Sequence, residues 1–72
     1  MSIESCIVAA KKWVDENSEV KLNSGQLTEL GKMLSRAEEL GATPAQKNQM
    51  MALYADNKLI QQQIAEIGRA HV

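Results

Sequence analysis

A helix-start box at Thr43-Pro44-Ala45-Gln46, followed by apolar residues in steps of three and four, constrains this chain more than any other feature. Thr43 can cap a helix, Pro44 suits the first helical position because its missing N–H has no partner there anyway, and Gln46 can reach back to the cap. Met50, Leu53, Asn57, Ile60, Ile64 and Ile67 then fall on one side of that helix. The pattern predicts a helix from Pro44 to about Gly68. Its first half offers a broad apolar face of Met50, Met51, Leu53 and Tyr54 to both other helices, and its second half narrows to an Ile60, Ile64 and Ile67 seam for another chain. In heptad terms Met50, Asn57 and Ile64 share one core position, and Leu53, Ile60 and Ile67 share the other. A polar residue at one such position lowers the stability of a coiled coil but can fix its register by pairing with its symmetry mate. Asn57 therefore either meets a second copy of itself or bonds to the connector between the first and second helices or to water.

Two shorter helices precede this one. Asn23 followed by Gln26 repeats the capping-box spacing, with Leu22 and Leu27 placed for a hydrophobic staple, so a second helix starts at about Ser24. Its stripe of Leu27, Leu30, Met33, Leu34, Ala37 and Leu40 stops at Gly41, a natural left-handed residue beyond a helix end. Gly31 interrupts this helix at a cost of about 1 kcal/mol against alanine unless a neighbouring backbone comes close. Close packing is the expectation. A link as short as Gly41-Ala42-Thr43 favours an antiparallel hairpin of the second and third helices. At about 1.5 Å per residue the third helix overhangs the second by about 12 Å.

The first helix is predicted from about Ser2 to Asp15, with Ile3, Cys6, Ile7, Ala10, Trp13 and Val14 facing the core and Val8 off that stripe. Residues 16–23 break the helical period and alternate, placing Val20 and Leu22 on one side of an extended connector. Cys6 belongs to the apolar stripe and reads as a small buried hydrophobe, with no base beside it in sequence to activate a thiol. The expected fold is all-α: a three-helix arrangement with an antiparallel hairpin of helices two and three and a long C-terminal helix that dimerises.

Composition narrows the functional classes. A chain of 72 residues is one domain and buries only about 60% of the surface its unfolded form exposes, so its core alone is marginal. With one cysteine and one histidine, an intrachain disulfide is impossible and a Cys/His zinc site is not expected. Association with a second copy is the remaining route to stability. Eight Lys+Arg against nine Asp+Glu, mixed in sign along the chain, do not make the basic patch of a typical nucleic-acid binder. No apolar run approaches the roughly 20 residues that span a bilayer, and the start has no signal-peptide pattern. The expectation is a cytoplasmic protein with Cys6 reduced and no membrane partner.

No nucleophile–base pair, metal cluster or glycine-rich phosphate loop assembles, so neither an enzyme nor a cofactor is expected. His71 is penultimate, and adjacent Glu38 and Glu39 point about 100° apart on a helix surface. The candidate contact residues are Asn57, Leu59, Ile60, Ile64 and Ile67. Leu59 lies off the seam and could join Ala52 and Ala55 in a second patch. A homodimeric accessory regulator or inhibitor acting on another protein is the expected role, a type common among short helical chains of phages and other mobile elements. A helix-turn-helix outline offers an alternative, with Gln46, Lys47, Asn48 and Gln49 at the start of the third helix as DNA contacts. The neutral charge and the absence of a neighbouring cationic cluster argue against it.

Overall fold

The structure, a computed structural model, describes residues 2–70, with side chains through residue 65. Three helices follow one another: α1 (Ile3–Asn17), α2 (Ser24–Glu39) and α3 (Pro44–Ala70). Among the described residues there is no strand.

Each helix starts where its local chemistry directs. The Ser2 hydroxyl accepts the Ser5 N–H at 3.2 Å. At α2 the box is reciprocal: the Asn23 Oδ1 accepts the Gln26 N–H at 2.8 Å, and the Gln26 Oε1 accepts the Asn23 N–H at 3.1 Å. The same exchange opens α3, between Thr43 and Gln46, at 3.2 and 2.9 Å. Such caps satisfy backbone donors that the helix cannot, and each is worth about 1 kcal/mol.

The ends are equally local. α2 closes through Gly41, whose φ of +80° lets the Gly41 N–H reach the Glu38 carbonyl and the Ala42 N–H reach the Ala37 carbonyl, both at 3.0 Å. This paired closure is the Schellman arrangement, and only glycine adopts that φ without strain. α1 runs two residues past the expected Asp15, because Asn17 folds its side-chain amide back onto the Trp13 carbonyl at 2.8 Å.

The most extensive packing joins α1 to α2. Cys6, Ala10 and Val14 from α1 and Leu30 and Leu34 from α2 are buried in one core. Gly31 is what lets the two helices approach: a Cβ placed there would overlap Ile7 Cγ1 and lie 3.0 Å from the Ile7 backbone N and Cα. The connector between them buries Val20 and half-buries Leu22, as the alternation predicts.

α3 lies across this pair with part of the broad face expected of its first half, Met51 and Tyr54, joined by Ala55. Met51, Tyr54 and Ala55 are buried, and Leu59 packs against them partly buried. Leu53, expected in the core, is instead 63% exposed, whereas Ile60, expected on the outer seam, is 54% exposed. The reason lies in two apolar stripes about a third of a turn apart on one helix. One contains Asn57, whose amide would lose water without compensation if it faced the core. On the other, the Tyr54 hydroxyl finds a partner in the Gln26 carbonyl, and the small Ala55 allows close approach. The core took the second stripe. Leu59 therefore belongs to the core side with Ala55, not to an outer patch.

Two further contacts fix α3 in place. The Tyr54 hydroxyl donates to the Gln26 carbonyl at 3.3 Å, and the Gln62 amide donates to the Lys21 carbonyl in the connector at 2.9 Å. The molecule measures 46 × 21 × 20 Å. A 27-residue helix is about 40 Å long, so α3 sets the long axis.

Candidate functional site

With Met51, Tyr54 and Ala55 turned inward, the heptad seam of α3 is left on the outside. Met50 is half-buried at its start, while Leu53, Ile60 and Ile64 are each more than half exposed. A single exposed leucine is ordinary, but a row of them at seam spacing on one helix is not.

At its N-terminal half the seam borders α2, and together they form an open groove of about 590 Å³. Its floor is apolar, from Met33, Met50, Leu53 and Tyr54, and its lips are polar, with Glu29 on α2 and Gln49, Asn57 and Lys58 on α3. Methionine-lined surfaces accept varied shapes because the unbranched thioether repacks at low cost. The apolar floor continues past Met33 and Met50 to Ala37 and Leu40. Leu40, expected as the last member of the α2 stripe, is instead 72% exposed. It sits at the helix cap, one residue before the turn at Gly41. Its position immediately before that glycine was the available sign in the sequence. Met33 as a groove residue was not legible, because a half-buried methionine on a core stripe looks the same in sequence whichever neighbour it meets.

The electrostatics of the groove are mild. Lys58 Nζ stands 5.3 Å from the centre of the Tyr54 ring, a cation–π distance. The Tyr54 hydroxyl titrates above its ordinary value of 10.0, first because burial disfavours the phenolate and then because the Glu29 carboxylate is close. Asn57 is exposed, and its Oδ1 accepts from the Gln61 amide at 2.9 Å. The bond to the connector considered for Asn57 is made by Gln62 instead.

The remaining candidates separate. Asn57, Ile60 and Ile64 share the outer seam, whereas Leu59 is turned toward the core. The side chains of Ile67 and His71 lie outside the described residues. Of the four residues offered for DNA contact, two are already engaged. Gln46 serves the cap of α3, and Lys47 pairs with Glu38 at 3.3 Å with both side chains mostly covered. Asn48 and Gln49 are exposed. Glu38 is thus half-buried rather than part of a solvated acidic pair, and Glu39 pairs with Arg36 at 3.4 Å.

Among the described residues no three His, Cys, Asp or Glu side chains group as metal ligands, and no helix is long and apolar enough to cross a membrane. Compared with protein-family models, curated proteins and solved structures, the chain matches none of them.

Proposed function

We propose that this chain is a non-enzymatic protein–protein interaction module that works as a homodimer, an accessory regulator or inhibitor in a reducing cytoplasm. The observation that carries the proposal is the exposed seam of Leu53, Ile60 and Ile64, three large apolar side chains at coiled-coil spacing that the chain's own core does not use. A seam of this kind loses water favourably against a second helix, at about 25 cal/mol per Å² of apolar surface. The antiparallel pairing of α2 and α3 is part of the same reading. Its support is the order of the contacts: Lys47 meets Glu38 near the turn, and Tyr54, further along α3, meets Gln26 at the far end of α2.

Sedimentation at micromolar concentration tests the proposal. The expected result is a dimer that Ile64→Glu converts to a folded monomer. Val8→Glu, at a site 68% exposed on α1, should leave the dimer intact. A folded wild-type monomer under these conditions overturns the reading. Retardation of duplex DNA that weakens steeply with added salt would favour the helix-turn-helix alternative, since phosphate contacts release counterions.

A further inference from the structure

Resting on the dimer reading, we propose that two copies pair antiparallel, with Ile60 and Ile64 of one seated in the α2–α3 groove of the other and Asn57 at the two-fold axis.

The amount of surface fits a second copy. The chain exposes 5176 Å², whereas a compact monomer of its mass, 7.9 kDa, exposes roughly 4400 Å². The excess of roughly 750 Å² is close to the roughly 800 Å² that each partner contributes to a standard stable interface. The net charge of −1 per copy sets up little repulsion between two.

Shape and spacing then choose the orientation. Beside Met50 and Leu53 the seam borders the groove, whose recess half-buried Met33 and Met50 form, with Leu53, 63% exposed, beside them. At Ile60 and Ile64 the same seam lies beyond the groove and is more than half exposed, while on the other side Leu59 packs toward the core and the Gln62 amide reaches the connector. The recess and this isoleucine ridge are both apolar, and both lie on every copy. Ile3 and Val8, the other exposed large apolar residues of the described chain besides Leu40, sit five apart on α1 and form no ridge.

The seam also reads almost the same in both directions from Asn57. Met50 and Ile64 are each seven residues away, and Leu53 and Ile60 are four and three away. Turning one helix end for end about Asn57 therefore lays Ile64 against Met50 and Ile60 against Leu53, putting each ridge into a recess. A parallel pair sets recess against recess, leaving unfilled space whose lining loses contacts, and it aligns the two helix dipoles unfavourably. An isologous interface needs a self-complementary patch, and this one is self-complementary only when reversed.

Thiol cross-linking with a short bismaleimide tests the orientation in the full chain, with native Cys6 alone as the unreactive control because it is fully buried. Met50→Cys and Ile64→Cys should link efficiently when mixed and poorly when either is alone. Gln49→Cys mixed with Gln63→Cys gives a second pair on one flank that leaves the apolar seam intact. In a parallel dimer residues 49 and 63 of opposite copies lie about 21 Å apart along the axis, beyond the reagent's reach. Self-linking of Ile64→Cys with no mixed product from either pair overturns the antiparallel assignment while leaving the dimer standing. A monomer in the sedimentation test removes both.

Discussion

Ile7 lies against Gly31 so closely that a methyl group on Gly31 would sit 3.0 Å from both the Ile7 backbone nitrogen and its Cα. Backbone cannot swing aside as a side-chain tip can, so the contact sets the spacing of α1 and α2 and with it the tightness of the whole core.

Gly31→Ala should therefore destabilise the fold, although alanine is the better helix former by about 1 kcal/mol. Overpacking of this kind costs roughly 1–3 kcal/mol, which is a large part of what a domain of this size has. Gly25→Ala is the matched control: its added Cβ meets only the Asn23 Oδ1, at 3.4 Å. Urea unfolding followed by circular dichroism should show a lower midpoint for the first and an equal or higher one for the second.

Alkaline pH should weaken the fold through Tyr54. Its hydroxyl titrates above 10.0 in the folded chain, so the folded state holds the proton more tightly than the unfolded one. The stability this provides is complete below about pH 10, the unfolded value, and disappears as the pH rises through the folded value. Tyr54→Phe lacks this dependence. The difference in urea midpoint between wild type and Tyr54→Phe should shrink or reverse above pH 10, and a constant difference would show that the phenol environment is not coupled to folding.

Gln62→Ala removes the one hydrogen bond from the described chain that ties the overhanging part of α3 to the connector at Lys21. Amide exchange beyond Asn57 should quicken while exchange at Leu30 and Leu34 stays slow. Local opening of a helix end does not require the buried α1–α2 core to separate. Uniform acceleration throughout would mean that the connector contact holds up the entire fold.

Asn57→Leu replaces the polar member of the seam. Association should tighten, because an amide at such a position costs stability, and the single orientation should be lost along with it. Concentration-dependent sedimentation together with the two cysteine pairs would show both effects. Weaker association would place Asn57 away from the interface.

Helix existence, and most of the helix boundaries, were legible because they rest on interactions within four residues. The boxes at Asn23–Gln26 and Thr43–Gln46 and the left-handed turn at Gly41 need no tertiary contact to be written in sequence. The close approach at Gly31 was also legible, because a glycine that costs helix stability calls for a compensating neighbour. What could not be read in full was which way α3 rolls. Met51 and Tyr54 were legible on the core side and Ile60 and Ile64 on the outer seam, but that Leu53 turns out and Leu59 turns in depends on a surface built by residues far away in sequence. The polar Asn57 held the clue: a stripe containing it makes the poorer core and the better outer seam. The groove against Met33 followed from that roll and could not be foreseen without it.

Cys6, with no exposed surface and no second cysteine in the chain, gives the molecule an internal clock. A sealed thiol is silent to reagents in solution and answers only during the moments when α1 lifts from α2. Its rate of labelling in native buffer thus counts those openings directly, with no dye or engineered label. Because a second copy bound to α3 would hold the folded state by mass action, the clock should tick more slowly as the protein is concentrated.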